Sequence, residues 1–201
     1  MKKCSVWPRL LLGALIGLGF LPVLIQGQDA VRVRIDTELG IIEVEIDVAR
    51  APDSSKNFLR YVDGGFYDGG QFHRTVTMDN QPNSDVRIEV FQAGAAPAKA
   101  REGFPPIPLE RTNKTGLKHL DGVISMARGG PDTATSSFFF CIGDQPSLDF
   151  GGDRNPDGQG FAAFGKVLSG MDVVRKIQKS PAEEQRLTPP IRILKVTRVS
   201  P

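Results

Sequence analysis

The sequence predicts a mainly β domain, a closed barrel or a sandwich, with two helices laid over its open ends. Three observations lead there. Apolar and polar residues alternate on both sides of Gly40, many short strand-like stretches are separated by Gly, Pro and Asn turns, and only two segments carry a helical period.

Val31, Val33 and Ile35 alternate with Arg32, Arg34 and Asp36, and Ile42, Val44 and Ile46 with Glu43, Glu45 and Asp47, which is the pattern of an antiparallel hairpin with one solvated face. Ala51-Pro52-Asp53 opens a helix whose Phe58, Leu59 and Val62 share a face, and Gly64-Gly65 stops it. A strand is expected around 71–76, then a polar surface loop from Met78 to Asp85. Further strands are expected near 86–92, 122–127, 136–142, 161–168 and 190–199, with a second helix near 170–179 on Met171, Val174 and Ile177. That makes eight strands and two helices. Phe104 to Pro108 reads as an exposed connection, too short to divide the chain.

The amino terminus is different in kind. Lys2, Lys3 and Arg9 precede an apolar run from Leu10 to Ile25, then Gln26-Gly27, so residues 1–27 read as an export signal, with an uncleaved membrane anchor as the alternative. The remaining residues 28–201 suit one domain, and the expected location is the periplasm or the medium. Removing 1–27 leaves 22 Lys and Arg against 23 Asp and Glu, a charge of −1, which gives no electrostatic reason to expect a nucleic acid partner. A membrane would be met only through the uncleaved segment. Cys141 alone survives cleavage, so no intramolecular disulfide can form.

Few residues offer chemistry. Two histidines, His73 and His119, lack metal-ligand spacing, so no metal is expected. No Gly-x-Ser-x-Gly marks a nucleophile, and nothing says which serine His73 would activate. Asp153 to Gly158 matches the first six positions of a calcium loop, but the twelfth is Phe164 where a glutamate is required, so this reads as a turn-rich loop. Arg74 remains. On a regular strand Phe72 and Arg74 share one face and His73 lies on the other, and spacing alone favours a solvated arginine beside a core phenylalanine. Gln92 ends a face shared with Val86, Ile88 and Val90. Of Phe138, Phe139 and Phe140 at least one must face outward; if that is Phe139, Ser137 and Cys141 go with it.

Taken in order, these segments resemble the cyclophilin family of peptidyl-prolyl cis–trans isomerases. The resemblance rests on Gly65-Phe66-Tyr67-Asp68-Gly69 with Phe72-His73-Arg74, Gln92-Ala93-Gly94, Gly122 to Ala127, Ser136-Ser137-Phe138-Phe139, and Phe164-Gly165-Lys166-Val167, spread from about Val31 to Val199. It implies a closed eight-stranded antiparallel β-barrel capped by two α-helices, an isomerase needing no cofactor, and proline-containing peptide segments as partners. By resemblance Arg74 hydrogen-bonds the prolyl nitrogen, Gln92 positions it, and Phe139, Val90 and Leu148 form the proline pocket. His73 lines the pocket edge, and Ala127 and Arg128 offer backbone groups to the peptide. Ser137 and Phe161 belong to the groove walls, where this chain departs from the family's glutamine and histidine, and Ser147 falls where the family has a tryptophan. The runner-up is a non-catalytic proline-binding module or chaperone on the same barrel. Helix-covered ends make an oligomer unnecessary, so a monomer is expected.

Overall fold

The structure is a computed structural model that describes Met1 and residues 30–199, so the expected export signal lies outside the described residues. Strands β1 (Ala30–Thr37) and β2 (Gly40–Asp47) form the expected hairpin, with Val33, Ile35, Ile42, Val44 and Ile46 fully buried. Helix α1 (Pro52–Asp63) follows, its first turn capped from a distance: the Glu110 carboxylate accepts the backbone N–H groups of Asp53 and Ser54 at 3.0 and 2.7 Å. Then come β3 (Gln71–Val76), β4 (Val90–Gly94), a single helical turn α2 (Thr112–Thr115), β5 (Val123–Met126), β6 (Phe138–Cys141), β7 (Ala162–Ser169), α3 (Met171–Gln178), β8 (Ala182–Glu183) and β9 (Arg186–Arg198).

Eight antiparallel strands close the barrel. The order runs β1-β2-β7-β5-β6-β4-β3-β9, and β9 returns to pair with β1, so no edge is left open. β8 is an additional two-residue strand on the start of β9, and α2 is a third, one-turn helix beyond the two expected.

One strand starts later than its alternation suggests. Residues 86–89 precede β4 because side chains satisfy their backbone: Gln81 holds both the N–H and the C=O of Ile88, and Arg154 donates to the Val86 carbonyl at 2.5 Å. Gln81 is itself buried, so the 78–85 segment is more than a surface loop.

The buried residues form two clusters on opposite sides of the barrel wall. The interior is aromatic: Phe58, Tyr67 and Phe138 pack within 5.2–5.4 Å of one another, and Phe91 stacks on Phe140 at 5.2 Å. The smaller cluster, with Val76, Val90, Phe139, Cys141 and Leu148, lies on the outer face of β3, β4 and β6. Phe138 and Phe140 therefore point inward while Phe139 and Cys141 point outward, as alternation along a strand requires.

Candidate active site

The groove is built on one row of residues across four strands. Arg74 on β3 stands opposite Gln92 on β4, Gln92 opposite Phe139 on β6, and Phe139 opposite Ser125 on β5. Residues paired across a sheet share a face, so this register aims Arg74, Gln92 and Phe139 at the same outer surface. Two strand spacings separate the guanidinium's strand from that of the aromatic ring, roughly 10 Å, which leaves room for a small ring between them.

Arg74 reaches that surface through a β-bulge. The pairing of β3 with both β4 and β9 slips between Phe72 and Arg74, so Phe72 turns into the core while Arg74 turns out. The expectation that the two share a face is thereby corrected, because one extra residue inverts the parity of everything after it. The bulged residue is His73. It does not line the groove; it lines a separate open cavity together with Arg74, Glu183 and Arg186. Burial, with Arg74 beside it, outweighs the Gln71 backbone contact and holds its imidazole below the usual histidine range, and so neutral at pH 7.

The other nine residues expected at the site line one groove of about 470 Å³. Phe139, Val90 and Leu148 form its nearly solvent-free floor, and Phe161 meets Phe139 edge to face at 5.4 Å. Arg128 spends its charge within the protein. Its guanidinium pairs with Asp157 through two nitrogens at 2.7 and 2.9 Å, donates to the Gly160 carbonyl and lies 5.0 Å from the Phe161 ring centre. The hydrogen bonds from Arg128 hold the Asp157 carboxyl at about 2. That contact, and the turn of Arg154 toward the groove, is what the Asp153–Gly158 loop contributes. Among the described residues no three His, Cys, Asp or Glu side chains gather at a metal site.

Arg74 is held from two sides. Its Nη1 donates to Gln92 Oε1 at 3.2 Å, while Nε and Nη2 both donate to Gln185 Oε1 at 3.0 and 2.6 Å. Gln185 is fixed in turn by donating to the Asn80 carbonyl at 3.0 Å. Burial and the neighbouring Arg154 push the Arg74 pKa down, yet a guanidinium remains charged. Sequence reasoning missed Gln185 and Arg154, which come from irregular segments with no periodic signal.

Behind Phe139 lies a buried hydrogen-bond chain. His119 Nδ1 meets Asp149 Oδ1 at 2.8 Å and Nε2 meets Ser125 Oγ at 3.0 Å, while the His119 and Phe139 rings lie parallel at 6.1 Å. These are the residue types of a hydrolase triad, but Ser125 is fully buried and reaches no solvent, so the chain braces Phe139 instead of attacking a substrate.

The comparisons with known proteins show the family and the fold. The family model described as cyclophilin type peptidyl-prolyl cis-trans isomerase/CLD matches residues 32–198. A peptidyl-prolyl cis-trans isomerase of Acinetobacter baylyi is 37% identical over 150 residues, 74% of this chain and 72% of the relative. Peptidyl-prolyl cis-trans isomerase A of Dickeya dadantii is 40% identical over 152 residues, 75% of this chain and 73% of the relative. Among solved structures, a Cryptosporidium parvum cyclophilin type isomerase crystallised in the presence of the dipeptide Ala-Pro superposes with a TM-score of 0.67 at 23% identity, over 85% of this chain and 99% of that one. An eight-stranded barrel, a groove in which Arg74 faces an aromatic floor, and a family match over nearly all described residues lead to one conclusion: the chain belongs to the cyclophilin-type peptidyl-prolyl cis–trans isomerases.

Proposed function

We propose that Arg74 is the group by which this isomerase accelerates rotation about X–Pro bonds, and that it acts on exported proteins. The rotation faces a barrier of roughly 18–20 kcal/mol because the nitrogen lone pair is delocalised into the carbonyl. As the bond twists, the nitrogen becomes pyramidal and regains that lone pair. A donor aimed at it therefore stabilises the twisted form and not the planar one, which is selective binding of the transition state. No proton need be transferred.

The observation that carries this reading is the row of Arg74, Gln92 and Phe139 on one face. Phe139, Val90 and Leu148 would seat the prolyl ring, and Gln92 and Gln185 would hold the guanidinium toward its nitrogen. The related structure obtained with Ala-Pro supports proline segments as the ligand. Exchange spectroscopy on an Ala-Pro peptide is the test: Arg74→Ala should lower kcat/KM by about 100- to 1000-fold with the circular dichroism and melting curve unchanged. Equal rates for native protein and variant would refute the role of Arg74, and retained peptide affinity without exchange in the native protein would mark a binding module.

Export is supported by Lys2, Lys3 and Arg9 ahead of the apolar run from Leu10 to Ile25. Slow X–Pro isomerisation takes tens to hundreds of seconds unassisted, so a folding exported chain would benefit from an isomerase in its compartment. Mass determination of the amino terminus of the protein isolated from cells checks cleavage near Gly27, and an intact Met1 in a soluble fraction would contradict it.

A further inference from the structure

We propose that Arg154 makes the groove select proline segments with a carboxylate side chain next to the proline, a specificity that rests on the assignment of the groove to X–Pro isomerisation.

Arg74 and Arg154 both line the groove, and among the described residues no Asp or Glu lines it with them. Among the described residues neither arginine has a carboxylate within ion-pair distance, in contrast to Arg128, which Asp157 neutralises. Two half-buried cations thus face this cavity with no counter-charge in its wall; the carboxylates of Asp79, Glu183 and Glu184 line the neighbouring cavities, beyond ion-pair distance of either. Each is disfavoured by the burial of its charge, and Arg74 also by Arg154 itself. An anion placed in the groove relieves both.

The way Arg154 is held points to the kind of anion. Only Nη1 is engaged, donating to Gln81 Oε1 at 2.9 Å, Ser84 Oγ at 2.7 Å and the Val86 carbonyl at 2.5 Å. All three acceptors are neutral. Nε and Nη2 have no partner among the described residues and are not sealed from solvent. Those two nitrogens form one straight edge of the guanidinium, the edge that matches the two oxygens of a carboxylate. The neighbouring Asn155, also in the groove wall, carries a buried Nδ2 without a partner, which adds a further neutral donor. One nitrogen pinned and a two-nitrogen edge left open is a preorganised receptor for a carboxylate. The backbone N–H of Arg154 donates to the Ser147 carbonyl at 3.2 Å, so the residue that carries this receptor is anchored at the position where the chain departs from the family's tryptophan.

The experiment measures isomerisation of short peptides with Glu or Gln placed immediately before, or immediately after, a single proline. The native protein should favour the Glu peptide at one of the two positions by roughly three- to tenfold in kcat/KM at low salt. That preference should shrink at about 0.5 M salt, where the screening length falls to a few ångströms, and should disappear in Arg154→Gln. Equal rates for Glu and Gln peptides at both positions, or a preference that survives in Arg154→Gln, would overturn the proposal. Because Arg154 also ties residues 81, 84 and 86 together, the salt series on the native protein decides the matter if the variant does not fold. Acceleration of the Gln peptides reports separately on catalysis, so failure of the selectivity and failure of the isomerase mechanism are told apart.

Discussion

Arg74 owes its usefulness to its neighbours more than to its charge. A lone arginine on a strand samples several rotamers, and the donor must point at one nitrogen. Gln185 removes that freedom by accepting from both Nε and Nη2, which makes it a positioning residue for a group it faces across 111 residues of sequence. Replacing Gln185 with Leu should lower kcat about tenfold, since hydrogen bonds to a charged group contribute about 1.5–3 kcal/mol, with KM little changed; steady-state kinetics on one peptide separates the two parameters. The His119 chain is the second lesson at this scale. Burial by itself would raise the Asp149 carboxyl, but the hydrogen bonds from the His119 ring and backbone N–H outweigh it and hold the group below the usual range. A carboxyl lowered in the folded state stabilises the fold above its unfolded value near pH 4, and that contribution is lost as the pH falls through the lower folded value. Asp149→Asn should therefore be less stable than the native protein at pH 7, and the difference should narrow toward about pH 3; urea unfolding at the two pH values measures it.

Three elements decide how the site is assembled. The bulge in β3 converts a Phe72–Arg74 pair that alternation would place on one face into one core residue and one groove residue. It could not be read from spacing, because a bulge adds a residue without changing the local composition. The 78–85 segment has the composition of a surface loop, yet its side chains hold Gln185 through Asn80 and Arg154 through Gln81 and Ser84. Its polar residues were legible; their partners, 70 to 105 positions away, were not. β7 shows the opposite case, since Gly165 belongs to a recognisable Phe-Gly-Lys-Val stretch and its reason is steric. A Cβ at Gly165 would run into the backbone carbonyl of Glu45 on β2 and lie 3.0 Å from Ile124 Cγ2 on β5. Gly165→Ala should destabilise by about 1–3 kcal/mol, the usual cost of overpacking, seen as a lower urea midpoint with an unchanged slope.

The whole molecule is a barrel whose wall carries both cores, one on each side. Cys141 sits in the outer cluster, fully buried, and burial with the nearby acidic side chains pushes its thiol far above the usual range. Its reaction with an aromatic disulfide reagent should be negligible in the native state and should follow the rate or extent of global unfolding in denaturant; rapid labelling without denaturant would show that the wall opens locally. The sequence by itself determined the β class, the strand and helix count to within one short element of each kind, and that Phe139 faces the opposite way from Phe138 and Phe140, because period-two alternation is a local property of the chain. Of the ten side chains expected at the site, nine come to line the groove. Only the tertiary structure removed His73 from the groove, turned Arg128 toward Asp157, and brought Gln185 and Arg154 to Arg74. The reason is physical: these outcomes depend on a parity change at one bulge and on loops that meet through the closure of the barrel, and neither leaves a periodic trace in the order of residues.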